Sequence, residues 1–244
     1  MTKIKKTSAV IFFVLMFSAS SAIPVYAETS CAINQSDFDK LEAIQNDPSL
    51  DYFEEVKLEL QLRKKLLGET LRCAISDAAS IKADVDRIKL NDRDSINLQS
   101  QFANQLDNAI GYYKVQESKI GDLGLQGSKD FAKNLASWRN GNYEQTAKMA
   151  ANFIIWAKNQ GLVETAQTRV DQIGRSVTLL RLVYNGEIQD LWRGVDVIFS
   201  ETKNLNRKSK SDLALRTPDE ALATIKLSLD SLSKTYEKLS ELVN

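Results

Sequence analysis

The chain has 244 residues, with 32 basic and 32 acidic side chains and no histidine. Without histidine there can be no Ser-His-Asp or Cys-His nucleophile, no imidazole-based zinc site and no Glu-x-x-His di-iron centre. The balanced charge also lacks the basic footprint that nucleic-acid binding needs. We therefore expect a protein that is not an enzyme and that holds no metal, cofactor or nucleic acid.

Residues 1–27 have the pattern of a secretory signal peptide. Three lysines and an apolar run from Ala9 to Phe17 are followed by Val25-Tyr26-Ala27, the small-x-small form that signal peptidase accepts. The apolar run is shorter than the about 20 residues of a membrane span. We expect cleavage before Glu28 and a secreted or periplasmic mature protein, with an uncleaved leader that anchors the chain as the alternative.

The only two cysteines, Cys31 and Cys73, are predicted to form a disulfide, because an even cysteine count in an oxidising compartment favours pairing. The bond would close a loop of about 43 residues, worth at most roughly 4 kcal/mol in the chain-entropy model. A redox pair or a pair of metal ligands are the alternatives. Neither Cys-x-x-Cys spacing nor a further soft ligand supports them.

The first part of the exported chain predicts two helices. A short helix begins at a capping Ser36 and ends near Asn46, where Asp47-Pro48-Ser49 breaks it, because proline disfavours helix in the residue before it. A long helix from about residue 50 to 90 follows. Its apolar seam runs in steps of three and four residues, and extra leucines widen the stripe enough to indicate packing against two or three neighbouring helices.

The middle of the chain predicts two further helices joined by glycine. A turn in which Asp92 is expected to cap rather than to bind calcium leads into a helix over about 95–121. The glycines of segment 121–127 mark a flexible connection. Another helix opens at Ser128. Asn140-Gly141-Asn142 then interrupts it, which predicts a helix-turn-helix corner.

After the corner, the chain carries a regular three-four apolar seam as far as Leu205. Its unbroken phase predicts continuous or merely kinked helix at Asn185-Gly186, whereas Gly161 has more stop character and predicts a true turn. Residues 206–216 predict a polar, basic connection. Thr217-Pro218-Asp219-Glu220 is a capping box that starts a final helix reaching the chain end.

No segment alternates apolar and polar residues over a length that would indicate a strand. The sequence therefore predicts an all-α fold: an elongated antiparallel helical bundle of four to five main helices with coiled-coil-like heptad packing. Residues 28–244 are expected to form one domain. Open apolar stripes of this kind pair readily, so the pattern is also compatible with a homodimer.

Aromatic and basic residues supply the candidate interaction sites. Trp156 and Trp192 lie on or beside the seam and are expected in the core. Tyr112 turns away from the seam and Trp138 lies at the predicted corner, so both are candidates to face a partner. A basic cluster is a candidate for contact with anionic lipid or cell-wall polymer, with a solvated loop as the alternative. Its members are Lys203, Arg207, Lys208, Lys210 and Arg216.

The leader, the helical seams and the missing chemistry together predict a non-enzymatic interaction or structural protein of the cell envelope, whose partner is a protein or another envelope component. The first alternative is a membrane-active, pore-forming-like secreted protein. Ala147–Val163 is its candidate inserting segment, although the charges of that segment suit a core helix. The second alternative is a periplasmic chaperone or stress sensor, which exposed apolar grooves between helices would favour.

Overall fold

A computed structural model describes residues 34–180 and 186–241, so the leader, Cys31 and the extreme C-terminus lie outside the described residues. Of the described residues, 92% are helical and none lies in a strand. The predicted all-α helical bundle is therefore confirmed. Its α-helices are α1 (Gln35–Asn46), α2 (Tyr52–Asp86), α3 (Arg93–Lys119), α4 (Leu125–Trp138), α5 (Glu144–Leu180), α6 (Glu187–Leu215) and α7 (Pro218–Glu241).

The chain divides into two compact units. Unit 1 comprises the chain up to Ser80 together with Gln105–Glu144, and unit 2 comprises Ile81–Asn104 together with the chain from Gln145 onward. Helices α2 and α3 therefore contribute residues to both units. The assignment of residues 28–244 to one domain stays a prediction, and so does a coiled-coil supercoil.

In unit 1, α1 packs antiparallel against α2. Asp37 near the start of α1 pairs with Lys65, whereas Gln45 near its end donates to Glu59, which lies earlier in α2. The apolar contacts between the two helices involve Phe38, Leu41, Leu62 and Leu66. Helix α1 is thus held by a small core with polar contacts at both ends.

Side-chain caps define several helix starts. Asn34 Oδ1 accepts a backbone N–H at 3.0 Å and caps α1, two residues before the predicted cap. Asp92 Oδ1 accepts the Ser95 N–H at 2.9 Å and caps α3, as expected. The capping box is confirmed, because the Glu220 N–H donates to Thr217 Oγ1 at 3.4 Å and the Thr217 N–H donates to the Glu220 carboxylate at 3.0 Å.

The predicted corner at Asn140-Gly141-Asn142 is wrong. The chain there forms a π-helical turn, Arg139–Tyr143, so helical backbone continues from α4 into α5. A π turn accommodates an extra residue without ending the helix. Asn140-Gly141-Asn142 therefore lies within the π-helical turn and does not end the helix.

The predictions for Gly161 and Gly186 are also wrong. Gly161 lies inside α5, where the Thr165 hydroxyl donates to its carbonyl oxygen at 2.9 Å. Gly186 has a φ of +58°, and α6 begins at the next residue. Because that backbone conformation suits glycine and is not helical, the helix breaks there. The three-four spacing of apolar residues continues across both glycines, so that spacing alone could not show which of them ends a helix.

Unit 2 contains an antiparallel hairpin of α6 and α7 with α5 packed against it. Asp212 accepts from Thr224 at 2.6 Å near the hairpin connection, and Thr202 meets Thr235 at 3.3 Å farther along. The core comprises Val163, Ala166, Val170, Val195, Phe199, Leu232 and Leu239. Trp192 packs against this core, as predicted.

Helix α6 continues to Leu215, so the connection predicted over residues 206–216 is wrong. Three of its four buried positions there are polar, and Leu213 is the apolar one. Asn206 donates to Gln160, and Asp212 accepts from Thr224. The hydroxyl of Ser209 donates to the backbone carbonyl four residues earlier at 2.8 Å. Because each buried polar group has a partner, the helix can bury them without a large penalty.

Candidate interaction surface

The two aromatic residues predicted to face a partner lie together in unit 1. Tyr112 is in α3, Trp138 ends α4, and a short connection through a 3₁₀ turn at Ile120–Asp122 joins the two helices. Short connections make neighbouring helices antiparallel, which brings distant positions of the sequence side by side. Both side chains are half-buried.

Tyr112 and Trp138 form a face-to-face stack, with ring centroids 3.7 Å apart and ring planes inclined by 12°. The buried Tyr113 ring lies 5.2 Å from Trp138 and 5.9 Å from Tyr112, at a steep angle to both. A ring on an outer face of the stack would be much farther from one partner than from the other. Tyr113 therefore lies beside the stack rather than on one of its outer faces.

A partly buried polar layer lies at the π-helical turn, and its Tyr143 ring contacts the Tyr113 ring at 5.6 Å. The Tyr143 hydroxyl donates to the Asp77 carboxylate at 2.6 Å, and the Arg139 guanidinium lies 5.1 Å from the Tyr143 ring centroid. Burial and the Asp77 charge raise the pKa of Tyr143 above its usual range, and burial raises the pKa of Tyr113 to about 12. Both phenols stay protonated at neutral pH, so they position the stack and supply no base.

The predicted basic cluster lies on α6 and its C-terminal cap, Arg216, in unit 2. Polar and acidic partners contact three of its members. These contacts are Lys210–Asp92 at 2.5 Å, Lys208–Asp212 at 3.9 Å and Lys203–Gln167 at 3.1 Å. Arg207 and Arg216 are exposed. The positive charge is therefore partly compensated along the helix, which weakens the case for an anionic polymer at this position.

Asp92, the partner of Lys210, also caps α3. Burial alone would raise the pKa of Asp92, but hydrogen bonds from Lys210 and from Ser95 outweigh it and lower this pKa to about 2. The carboxylate is thus ionised at neutral pH and engaged in a cap and an ion pair. This arrangement agrees with the expected capping role.

Sequence analysis missed a groove between α1 and α2. The groove has a volume of about 420 Å³ and is lined by Lys40, Ala43, Ile44, Leu58, Gln61, Leu62 and Lys65. The leucines that widen the apolar stripe of α2 could have indicated this groove, because α1 is too short to cover all of them. Tyr52 and Phe53, at the start of α2, are also exposed, at 72% and 83%.

Cys73 is buried in α2, and Cys31 lies outside the described residues, so their pairing stays a prediction. Within residues 34–180 and 186–241, no group of three or more His, Cys, Asp or Glu side chains could hold a metal ion. Every helix in these ranges is too short or too polar to span a bilayer.

No protein-family model, curated protein or solved structure matches the chain.

Proposed function

We propose that the chain is a non-enzymatic, exported helical-bundle protein that binds another component of the cell envelope. The leader and the even cysteine count support export. The lack of histidine supports a role without the commonest acid–base and metal chemistry. The partner is a protein or another envelope component that meets the α3–α4 surface of unit 1.

The Tyr112–Trp138 stack is the observation that carries this proposal. Two large rings lie against each other, 3.7 Å apart and only half-buried, at positions that sequence analysis assigned to a partner. Rigid aromatic side chains offer a large contact area at a small cost in conformational entropy, and they are enriched at interfaces for that reason. The stack is therefore a preformed contact surface.

Crosslinking in the native envelope fraction, followed by capture of the tagged mature chain, tests the proposal. We expect a reproducible envelope partner with the wild-type chain and a reduced yield with Tyr112→Ser. Val197→Ser, which changes an exposed apolar residue of α6, is the matched control and should capture the partner normally. Equal capture by all three proteins would refute the assignment of the surface, and a purely cytoplasmic mature chain would refute export.

The α1–α2 groove favours a second candidate, a periplasmic chaperone or stress sensor. An exposed apolar groove can accept an apolar segment of an unfolded client. The assay is suppression of aggregation of a heated client protein. Leu58→Asp should abolish suppression because it puts a charge on the groove wall. Leu162→Asp, at an exposed position of α5, should leave suppression unchanged. Identical suppression by both variants would remove this candidate.

Membrane insertion receives no comparable support. The candidate segment, Ala147–Val163, belongs to α5, and Phe153 and Trp156 within it are buried. The Trp156 ring nitrogen also donates to the Asn206 carbonyl oxygen at 3.2 Å. These contacts favour a core role for the segment.

A further inference from the structure

We infer that the groove between α1 and α2 binds a fatty acid, with the alkyl chain against its apolar walls and the carboxylate between Lys40 and Lys65. The inference goes beyond the proposed function, because this site does not use the Tyr112–Trp138 stack. Three features carry it: the spacing of the two ammonium groups, the charge balance around them, and the apolar walls that extend from them.

The groove has a basic end. Lys40 precedes the other groove residues of α1, Ala43 and Ile44, and Lys65 follows those of α2, which begin at Leu58. Because the two helices run antiparallel, both lysines lie at the same end. The seven residues from Leu58 to Lys65 span about 10 Å along α2, which gives the length of wall available to a ligand.

The two lysines are spaced to hold a carboxylate. Asp37, whose side chain is 1% exposed, accepts from Lys40 through Oδ1 at 3.2 Å and from Lys65 through Oδ2 at 2.5 Å. The two ammonium groups therefore already meet the two oxygens of one carboxylate. Each ammonium group has three N–H donors, and the lysine side chains are 62% and 51% exposed. Both keep donors for a second carboxylate on the solvent side.

The charge balance favours an anionic ligand. The hydrogen bond from Lys65 lowers the pKa of Asp37, so this carboxylate is ionised at neutral pH and offsets one of the two positive charges. Glu69, one turn farther along α2, lies 3.8 Å from Lys65 Nζ, which is beyond hydrogen-bonding distance. Among the described residues, the two ammonium groups thus share one hydrogen-bonded carboxylate. A ligand carboxylate would supply the second.

The rest of the groove suits an alkyl chain. Its apolar lining residues are Ala43, Ile44, Leu58 and Leu62, and Leu58 is 39% exposed. Apart from the lysines, Gln61 is the one described lining residue whose side chain can form hydrogen bonds. The backbone groups of both walls are paired within their helices. An alkyl chain has no polar group to leave unpaired, so it can lie along these walls without that penalty.

A peptide fits the same groove less well. An extended peptide carries a backbone donor and acceptor on almost every residue, and these walls offer few partners for them. A helix about 10 Å wide fills roughly 400 Å³ per turn, so a groove of about 420 Å³ would cover only about one turn of it. The basic end and the apolar walls together favour a fatty acid.

Calorimetric titration of the mature chain, residues 28–244, with decanoate, hexanoate and decanol tests the inference. Decanoate should bind saturably. Hexanoate lacks four CH₂ groups and should bind at least tenfold more weakly, since each buried CH₂ group contributes about fourfold. Decanol lacks the carboxylate and should bind at least about threefold more weakly.

Two variants separate the basic end from the apolar wall. Lys40→Gln removes one ammonium group and leaves the second lysine on its carboxylate. It should weaken decanoate binding about twofold to fivefold and leave decanol binding unchanged. Leu58→Ser removes an apolar wall residue and should weaken both ligands about threefold or more. Lys226→Gln and Leu227→Ser, at exposed positions of α7, are the matched controls and should bind as wild type.

Saturable decanoate binding that weakens in both groove variants supports the inference. No decanoate binding, or binding unchanged in both groove variants, overturns it. Equal affinities for decanol and decanoate also overturn it, and so does adsorption to anionic vesicles without binding of monomeric decanoate. An unfolded client protein that occupies the groove while decanoate does not would replace the fatty acid by the chaperone candidate.

Discussion

Two glycines of α5 should respond oppositely to the same substitution. A Cβ added at Gly161 meets no atom within 4 Å, whereas one added at Gly174 would lie 2.6 Å from Cζ2 and 3.0 Å from Cη2 of Trp192. Both positions are helical. Helix propensity therefore acts alone at Gly161, while at Gly174 it competes with a clash against a rigid ring.

The magnitudes follow from these two situations. Replacing a helical glycine by alanine stabilises by about 0.5–1 kcal/mol, so Gly161→Ala should raise the melting temperature by about 1–4 °C. Overpacking costs about 1–3 kcal/mol, so after a gain of about 0.5–1 kcal/mol in propensity the net loss for Gly174→Ala lies between about 0 and 2.5 kcal/mol. The 2.6 Å contact places it at the upper end of that range. Thermal unfolding of the mature chain, followed by far-ultraviolet circular dichroism, measures both variants.

Gly186→Ala provides a reference for a true break, since its φ of +58° makes an added methyl group unfavourable. It should lower the melting temperature. If Gly161→Ala also lowered the melting temperature, α5 would not be continuous at Gly161, and the turn predicted there from the sequence would be favoured. If Gly174→Ala were as stable as wild type, α5 would not approach Trp192 as closely as described.

Three further changes probe the cysteine pair, the tyrosine layer and the Asp92 cap. Cys31→Ser should lower the melting temperature of the oxidised protein without abolishing the fold, and should have little effect after reduction. In urea unfolding, Tyr143→Phe should cost about 1–3 kcal/mol because the Asp77 carboxylate loses a donor. Tyr113→Phe should cost less, because among the described residues its hydroxyl has no hydrogen bond of ordinary geometry, although the Arg139 guanidinium acts on it. Below about pH 4 the melting temperature should fall less in Asp92→Asn than in wild type, because folding lowers the pKa of Asp92 from 3.8 to about 2 and its stabilisation is lost as the pH falls through that range.

Each of these three predictions has a result that would contradict it. An unchanged melting temperature for oxidised Cys31→Ser would argue against the disulfide. Equal losses of stability for the two tyrosine variants would mean that the Tyr113 hydroxyl also has a partner. Identical pH profiles for Asp92→Asn and wild type would show that the Asp92 carboxylate is not stabilised by folding.

The register of α1 on α2 shows how far Cys73 lies from the start of α1. Asp37 pairs with Lys65, and the helices run antiparallel. Cys73 therefore lies about two turns beyond Lys65 on α2. A bond between the two cysteines would fasten the N-terminal end of α1.

The fold class and several helix starts could be predicted because local chemistry determines them. The Thr217–Glu220 box forms its reciprocal hydrogen bonds, and Asp92 caps α3. The three-four seam placed Trp156 in the core, where it is buried. These features depend on residues that are close in the sequence, so they could be predicted from the sequence alone.

The errors concern features that depend on distant partners. Residues 206–216 were polar enough to indicate a loop, yet Asn206 and Asp212 are buried in α6 by hydrogen bonds to α5 and α7. Tyr112 and Trp138 were each singled out as exposed candidates. Their stacking depends on how α3 and α4 pack, which no local pattern encodes. The groove was missed because the extent of α1 over α2 is a tertiary property.

Photocrosslinking in the native envelope tests most directly whether the α3–α4 surface meets a partner outside the cytoplasm. A photoreactive phenylalanine analogue replaces Tyr112 in one variant and Leu162, an exposed residue of unit 2, in the other. We expect a discrete adduct from position 112 in the envelope fraction and none from position 162. No adduct from position 112, or the same adducts from both positions, would contradict the proposed interaction surface.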